Sequence, residues 1–259
     1  QAEDGIRDLV RSRGLGDVYK RQIITLALLI ISCNETPKKK GDQTEKSSQK
    51  EWVTLFDGKS FEGWHQFNEA KMSSAWDIVD DAMVFDPSKQ MDKKQNNDLV
   101  TDKEYTNFEL SLEWNIAEGG NSGIFWGVKE GEQYRKPYTT GPEIQVLDNE
   151  RHPDALANPK FHQAGALYDM VQPTQDVCKP AGEWNHVLLS IDYKSNKGSV
   201  ALNGVEIVTF PLSGEEWDAL IANSKFSDWD HFAKFKTGKI GLQDHGDMVS
   251  YRNIKIREL

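Results

Sequence analysis

The stretch Gly141-Pro142-Glu143-Ile144-Gln145-Val146-Leu147-Asp148-Asn149 decides how the fold is interpreted. Its period-two alternation predicts a strand, with Ile144 and Val146 in the core and Glu143 and Gln145 side by side on the opposite face. A carboxylate beside an amide on a rigid strand suits a sugar-binding or acid/base site. A solvated outer face of a sheet gives the same pattern, so both interpretations stay open.

Short strands flank this stretch on both sides. Alternation and turn residues predict them at residues 52–56, 76–79, 82–85, 99–101, 108–114, 123–128, 184–191, 198–202, 205–208 and 249–256. In the strand 108–114 every second residue is large and apolar, so one face of that strand is expected to enter the core.

One helix is predicted near residue 213. Ser213 and Glu216 have the spacing of a capping box, and Trp217 begins a set of apolar residues at helical spacing. Many short strands and one short helix predict an all-β fold, namely a two-sheet jelly-roll sandwich of the concanavalin-like kind. One sheet of such a sandwich is concave, so the fold provides a cleft.

A long segment rich in Pro, Asn, His and Asp follows the central strand. It covers residues 149–179, and connections of this length in compact domains are often functional. Residues 164–169 within it are predicted to form a short strand.

The composition fits one globular domain and excludes one class of partner. The chain has 259 residues, of which 37% are hydrophobic and 10% aromatic, enough for one substantial core. Its formal net charge of -10 argues against nucleic-acid binding, because phosphate contacts require clustered Lys and Arg.

Four segments divide the chain. Residues 1–22 resemble the translation of a sequencing adaptor, and we interpret them as a non-native leader. Residues 23–33 form an apolar run too short to span a bilayer, and its Ser32-Cys33 end resembles a bacterial lipobox, which predicts a lipoprotein signal segment. Residues 34–50 are polar and predict a disordered tether, and residues 51–259 form the folded domain.

Lipidation of Cys33 is the expected consequence of that signal segment. The lipid would anchor the protein to a membrane, with the folded domain beyond the tether. The expected location is the bacterial cell envelope, with the domain facing the periplasm or the surface.

Seven motifs in order give the folded domain its resemblance to a known family. They are Leu55-Phe56-Asp57-Gly58-Lys59 with Gly63-Trp64, Gly120-Asn121-Ser122-Gly123-Ile124, Glu143-Ile144-Gln145-Val146-Leu147-Asp148, Gly165-Ala166-Leu167-Tyr168, Gly182-Glu183-Trp184-Asn185, Leu202-Asn203-Gly204, and Gly241-Leu242-Gln243-Asp244-His245-Gly246 with Arg252-Asn253-Ile254-Lys255-Ile256. Across residues 51–259 the chain resembles the 3-keto-disaccharide hydrolase family.

The resemblance implies a concanavalin-like jelly roll that acts on glycosides oxidised to a ketone at C3. Such a ketone acidifies the C2 hydrogen, so a base can remove it and the resulting enolate can expel the C1 aglycone. Addition of water then completes a net hydrolysis. The protein must supply a base, an acid for the leaving oxygen and a group that stabilises the enolate. A divalent cation is a candidate for that last role, with its ligands left open.

The resemblance and the strand phases together indicate site residues. Glu143 is a candidate base or cation ligand, His245 a candidate acid/base group, and Tyr168 a candidate donor to the ketone oxygen. A His near a turn also serves as a cap, and a Tyr also packs in cores. Predicted substrate contacts are Gln145, Asp148, Gln243, Asn121, Trp126 and His162. For Trp126, a sugar-stacking platform and core packing are equally consistent with the sequence.

Two other functions remain open. Glu143-x-Gln145-x-x-Asp148 resembles the Glu-x-Asp-x-x-Glu strand of laminarinase-type enzymes, which would make the protein an ordinary glycoside hydrolase. Gln replaces the middle Asp, however, and the last Glu is a shorter Asp. The other function is that of a non-catalytic carbohydrate-binding lipoprotein.

Overall fold

A computed structural model describes residues 50–91, 95–157 and 160–259. The predicted leader, the apolar segment ending at Cys33 and residues 34–49 of the predicted tether lie outside these ranges. Within the described ranges, no helix is both long and apolar enough to span a bilayer.

Thirteen strands are formed by the described residues. In chain order they are β1 (Val53–Thr54), β2 (Trp64–Gln66), β3 (Trp76–Val79), β4 (Ala82–Phe85), β5 (Leu99–Thr101), β6 (Phe108–Ile116), β7 (Asn121–Val128), β8 (Glu143–Leu147), β9 (Asn185–Asp192), β10 (Lys197–Leu202), β11 (Val205–Phe210), β12 (Lys239–Leu242) and β13 (Val249–Glu258). Single 3₁₀ turns occupy Pro87–Lys89 and Pro137–Thr139.

The strands form two antiparallel sheets. The eight-stranded sheet has the order β11-β10-β9-β6-β13-β4-β3, with β1 paired to β13, and the five-stranded sheet has the order β2-β5-β12-β7-β8. Strands that are neighbours in a sheet are mostly distant in the chain. This order is that of a sandwich built by crossovers between two sheets, and it confirms the predicted all-β, two-sheet fold.

The core lies between the two sheets because alternate residues of the facing strands are apolar. From β6, Phe108, Leu110, Leu112 and Trp114 enter it. From β8, Ile144 and Val146 meet them in the same cluster, each no more than 1% exposed. Alternation along β8 therefore leaves Glu143 and Gln145 on the outer face of the five-stranded sheet, as its phase predicts.

The structure has two helices within the described ranges instead of the single one expected. Helix α1 (Pro153–Ala157) lies in the long segment after β8, and α2 (Glu215–Ala222) is the predicted one. The predicted capping box is wrong, because Gly214 precedes α2 without a side-chain cap and Ser213 Oγ donates to Asn196 Oδ1 instead, at 2.8 Å.

The predicted strand at residues 164–169 is not a regular strand, but it lies along the free edge of β8. Gly165 N donates to Gln145 O at 2.8 Å, and Gln145 N donates to Ala166 O at 3.1 Å. Tyr168 N donates to Glu143 O at 3.0 Å. These bonds occupy the edge of the sheet and hold Tyr168 beside Glu143.

Trp126 is a core residue, which excludes its predicted role as a sugar-stacking platform. Its side chain is 1% exposed and stacks on Phe210, with ring centroids 5.7 Å apart. The preceding residue, Phe125, belongs to a second, smaller cluster together with Phe67 and Tyr134. Strand β7 is thus apolar on both faces, and its sequence does not reveal which aromatic ring enters the main core.

Candidate active site

A cavity of about 300 Å³ lies on the outer face of the five-stranded sheet. It is lined by Asn121, Tyr138, Glu143, Gln145, Tyr168, Lys225, Phe226, Trp229, Gln243 and His245. Six of the residues predicted from the sequence are therefore brought together here: Glu143, Gln145, Tyr168, Asn121, Gln243 and His245. The predicted residues Asp148, Trp126 and His162 do not line this cavity.

A larger cavity, of about 600 Å³, lies against the eight-stranded sheet around Ser111 and His186. Hydrogen bonds from backbone N–H groups lower the pKa of Asp57, and partial burial raises the pKa of Glu113 less than Arg252 lowers it, so both are ordinary ionised carboxylates. The smaller cavity, in contrast, holds a buried carboxyl with a raised pKa. Strongly perturbed groups in a cleft are typical of catalytic sites, so the smaller cavity is the better candidate.

Glu143 is almost fully buried, with 8% of its surface exposed, although it lies on the outer face of β8. Its side chain runs flat across the neighbouring strand β7, over Gly123, which pairs with Gln145. A Cβ atom at position 123 would overlap the Glu143 carboxyl. Glycine at this position therefore creates the space in which the carboxyl lies.

Burial raises the pKa of the Glu143 carboxyl to about 8, because the ionised form loses its hydration. The positive charge of Lys225 lowers that pKa, and the negative charges of Asp98 and Asp154 raise it. The Glu143 carboxyl is consequently protonated in most molecules at neutral pH. It is therefore able to donate a proton to a bound substrate.

Gln145 orients the Glu143 carboxyl. In the amide orientation that satisfies its hydrogen bonds, its nitrogen donates to Ser122 O at 3.0 Å and to Glu143 Oε1 at 3.2 Å. The amide beside the carboxylate on this strand is thus part of the same site, and it fixes one oxygen of the carboxyl.

Polar residues of the long segment after β8 contact Tyr168 and lie outside the cavity. Its hydroxyl donates to Asp154 Oδ2 at 3.1 Å, and its ring stacks on that of His162, with centroids 4.5 Å apart. Burial, followed by the charge of Asp154, raises the pKa of the phenol, so Tyr168 stays neutral. Lys225 Nζ lies 4.0 Å from the centroid of the same ring, within cation–π range.

His162 lies outside the cavity and acts on Tyr168 instead of the predicted contact with substrate. Its two ring nitrogens lie 2.8 Å from Asp154 Oδ1 and 3.0 Å from Asp169 Oδ1. Asp169 Oδ2 in turn accepts from the backbone N–H of Lys225 at 2.7 Å. The chain of contacts from Asp154 through His162 to Asp169 therefore positions both Tyr168 and Lys225.

His245 lies at the rim of the cavity, after the end of β12. His245 is an exposed residue, but the protein atoms packed against one side of its ring lower its pKa by desolvation, and His152 lowers it further, whereas Asp247 raises it. The lowered pKa favours the neutral imidazole, which is able to accept a proton.

His152, His245 and Asp247 offer ligand atoms within 4.8 Å of one another, an arrangement able to hold a metal ion. Two of these residues already have partners. His152 Nδ1 accepts from Asp154 N at 3.1 Å, and Asp247 Oδ2 accepts from Asn121 N at 3.1 Å. A bound cation would have to use the remaining atoms or displace these bonds, and binding it would occupy His245.

Asp148 has a structural role, which corrects its predicted contact with substrate. It is buried at 2% exposure and accepts from Gly119 N at 2.7 Å and from Glu150 N at 3.0 Å. Burial alone would raise the pKa of this carboxyl, but these hydrogen bonds and Arg151 hold it below its usual range. Asp148 therefore fixes the turn after β8 as a permanent carboxylate.

Four lining residues escaped the sequence analysis: Tyr138, Lys225, Phe226 and Trp229. Three of them follow α2 in a region without strand or helix periodicity. The only available signal was a Lys-Phe pair with a Trp three residues later, in a connection long enough to carry function.

The raised pKa of Glu143 predicts a pH-dependent stability. Unfolded Glu143 releases its proton above about pH 4.5, whereas the folded protein keeps it to about pH 8. Folding must then take up a proton, so this residue destabilises the protein increasingly as the pH rises between those values, by roughly 1.4 kcal/mol per pH unit at most. Glu143→Gln should remove that dependence. Urea unfolding at several pH values from 5 to 8 measures it.

Glu62→Gln, at an exposed turn position, is the control for that measurement. We expect the free energy of unfolding of Glu143→Gln to rise relative to the wild type as the pH increases, and that of Glu62→Gln to follow the wild type. Parallel curves for the wild type and Glu143→Gln would show that the carboxyl is not buried as described.

Comparisons with known proteins agree with the fold and identify the family. Residues 51–257 match the model of the 3-keto-alpha-glucoside-1,2-lyase-like domain. A curated relative from Bacteroides thetaiotaomicron, named 3-keto-disaccharide hydrolase, is 35% identical over 231 residues, covering 80% of this chain and 78% of the relative.

Two crystal structures from Parabacteroides distasonis, both described as presumed glycosyl hydrolases, share the fold. One has a TM-score of 0.71 and 31% identity over 80% of this chain and 94% of its own. The other has a TM-score of 0.60 and 27% identity over 81% of this chain and 100% of its own. The matched residues span both sheets and every residue of the cavity, and on this basis the chain belongs to the 3-keto-alpha-glucoside-1,2-lyase-like family.

Proposed function

We propose that this protein cleaves glycosides that carry a ketone at C3, by removing the C2 proton, eliminating the C1 aglycone and adding water. The observation that carries the proposal is that the buried Glu143 carboxyl and the His245 imidazole line one cavity, where the raised pKa of Glu143 favours its protonated form and the lowered pKa of His245 favours its neutral form. Family membership supports the choice of substrate, since the Bacteroides relative is named a 3-keto-disaccharide hydrolase.

The two perturbed groups divide the proton transfers between them. A general acid must hold its proton at the working pH, and a general base must be free of one. Glu143 meets the first condition and His245 the second. We therefore assign His245 as the base at C2 and Glu143 as the acid for the leaving oxygen, so the structure favours an acid role for Glu143 over the base role expected from the sequence.

The negative charge that develops on the C3 oxygen needs a stabilising group. Lys225 supplies a positive charge beside the Tyr168 ring, and the neutral Tyr168 hydroxyl supplies a hydrogen-bond donor once it turns from Asp154 to the substrate. Both side chains line the cavity that holds Glu143. Together they serve as the enolate-stabilising pair.

The hydration step uses the same two groups in reverse. After elimination, Glu143 is a carboxylate and His245 carries the C2 proton. Glu143 then takes a proton from the water that adds to C1, and His245 returns its proton to C2. The cycle ends with both groups in their starting forms, so no further proton donor is required.

Ordinary glycoside hydrolysis is less consistent with the site. A retaining or inverting glycosidase needs two carboxyl groups facing the scissile bond. On β8, Gln145 replaces one candidate carboxyl, and directly after β8 Asp148 is engaged by Gly119, Glu150 and Arg151. Only Glu143 is left on this strand to serve as such a carboxyl.

The proposed function makes a first prediction about the oxidation state of the substrate. The protein should release the aglycone from a 4-nitrophenyl 3-keto-glucoside and leave the unoxidised 4-nitrophenyl glucoside intact, because only the ketone acidifies the C2 hydrogen. Product analysis by NMR measures both reactions. Comparable cleavage of the unoxidised glucoside would favour an ordinary glycoside hydrolase, and turnover of neither compound would favour a carbohydrate-binding protein.

The second prediction separates the acid from the base. Glu143→Gln should slow cleavage of a 3-keto-disaccharide by about 10²–10⁴-fold, the usual cost of losing an acid/base group. It should slow the 4-nitrophenyl 3-keto-glucoside far less, since nitrophenolate leaves without a proton. His245→Ala should slow both substrates by similar factors. Steady-state kcat values on the two substrates measure the difference.

Equal losses on both substrates in Glu143→Gln would make Glu143 the base and contradict the assignment. Treatment with EDTA is a second check. Unchanged turnover fits His245 as a base, whereas loss of turnover that a divalent cation restores would make His152, His245 and Asp247 a metal site.

A lipid anchor at Cys33 is a separate proposal, motivated by the apolar run that ends at Ser32-Cys33. When the natural gene is expressed in a bacterial host, Cys33→Ala should move the protein from the membrane fraction to the soluble fraction. Cys178→Ala is the matched control and should leave the distribution unchanged. Membrane association that persists in Cys33→Ala would exclude the anchor.

A further inference from the structure

A cavity of about 350 Å³, called the second cavity below, adjoins the cavity that holds Glu143, called the first, along the five-stranded sheet. The two share Tyr138, Gln243 and His245, so they form one continuous cleft. Asp98, Lys136 and Asp244 line the second cavity and not the first. None of these three was predicted from the sequence as a site residue.

Two buried oxygens in this second cavity have no hydrogen bond from any residue that the structure describes. They are Asp98 Oδ2 and Gln243 Oε1, on side chains of residues that are 1% and 6% exposed. Buried polar atoms are nearly always hydrogen-bonded, because leaving one unsatisfied costs free energy. Two such acceptors on the wall of one cavity indicate a ligand that donates hydrogen bonds.

Asp98 is held rigidly, which fixes the position of Oδ2, an oxygen that has an ion-pair contact with Lys136 but no hydrogen bond. Its other oxygen, Oδ1, accepts from Asp244 N at 2.7 Å, and its own N–H donates to Asn96 Oδ1 at 3.0 Å. Lys136 Nζ lies 3.5 Å from Asp98 Oδ2 and donates to Asn96 Oδ1 at 3.1 Å. The Asp98 carboxyl and the Lys136 ammonium group are therefore set side by side before any ligand binds.

The pKa of Asp98 reflects its burial and its contact with Lys136. Burial raises its pKa to about 7, and Lys136 lowers it. A ligand hydroxyl that donates to Oδ2 would favour the ionised form. A ligand that donates to Oδ2 therefore strengthens this acceptor as it binds.

The donors and acceptors of this cavity match a sugar ring. Hydroxyl groups of a pyranose are able to donate to Asp98 Oδ2 and Gln243 Oε1 and to accept from Lys136 Nζ. Tyr138 is 37% exposed and lines both cavities at the point where they meet, called the seam below. Its aromatic ring offers a surface on which a sugar ring can pack. A purely aromatic aglycone would leave both acceptors unsatisfied.

We propose that the second cavity binds the leaving sugar of a disaccharide substrate, with Asp98 Oδ2 and Gln243 Oε1 accepting hydrogen bonds from its hydroxyls beside Lys136. This inference rests on the proposed function, which places the oxidised ring next to Glu143. The leaving oxygen then lies near the seam, where His245 and Gln243 belong to both cavities.

The test compares a 3-keto-disaccharide with a 4-nitrophenyl 3-keto-glucoside. Asp98→Asn keeps an oxygen for the bond from Asp244 N and replaces the free acceptor with an NH₂ group, and Lys136→Met removes the neighbouring charge. Each variant should lower kcat/KM for the disaccharide by about 10–100-fold, mainly through KM, as expected for lost hydrogen bonds to charged groups. Each should change kcat/KM for the aryl substrate by less than about threefold.

Asp192→Asn, at the end of β9 in the other sheet, is the control and should leave both substrates unaffected. Thermal unfolding checks that each variant is folded, and Lys136→Met keeps the test valid should Asp98→Asn fail to fold. Equal losses on both substrates, no loss on either, or a loss for the disaccharide that lies in kcat alone, as the effect of the Asp98 charge on Glu143 would produce, would overturn the proposed sugar subsite.

Binding of glucose, measured by saturation-transfer NMR, tests the subsite without turnover. The wild type should bind glucose, and Asp98→Asn and Lys136→Met should bind it more weakly. If the wild type cleaves neither substrate, the proposed function fails while these spectra still decide the subsite. Equal glucose signals in the wild type and both variants, or none in the wild type, would exclude the subsite.

Discussion

The buried carboxyl of Glu143 is the constraint on which the rest of the cleft depends. Placing a carboxyl in a site with 8% exposure is costly unless the group stays protonated or gains partners. Gly123 makes the space, Gln145 holds one oxygen, and Lys225 offsets part of the charge. These three contacts come from β7, from β8 itself and from the loop after α2, so several elements have to be in place before the carboxyl acquires its properties.

The long segment after β8 is an organised part of the site. Through Asp154, His162 and Asp169 it supports Tyr168 from one side and the backbone of Lys225 from the other. A polar chain of this kind inside the protein holds its members rigidly when every group is satisfied. The Tyr168 ring and the backbone of Lys225, the proposed enolate-stabilising pair, are therefore fixed before a substrate binds, and only the Tyr168 hydroxyl has to change its partner.

Local pattern predicts some of this structure and not the rest. The phase of Ile144 and Val146 follows from the geometry of any strand, so the outward position of Glu143 and Gln145 could be predicted. Strand β7 is apolar on both faces, so its sequence does not decide whether the Trp126 ring packs in the core or faces the cleft. Asp98 joins the cleft through a bond to Asp244, 146 positions away, and no local pattern predicts such a contact. The role of Glu143 depended on burial, which spacing alone does not provide.

The hydrogen bonds between residues 165–168 and β8 link the solubility of the protein to the shape of the cleft. An unprotected terminal strand is a template for pairing with other chains, and here the chain covers its own edge. The residue that ends this cover is Tyr168. Substitutions that loosen residues 165–168 would expose an aggregation-prone sheet edge and would also displace Tyr168 from the cleft. Such a substitution therefore affects both the aggregation tendency of the protein and the position of Tyr168 in the cleft.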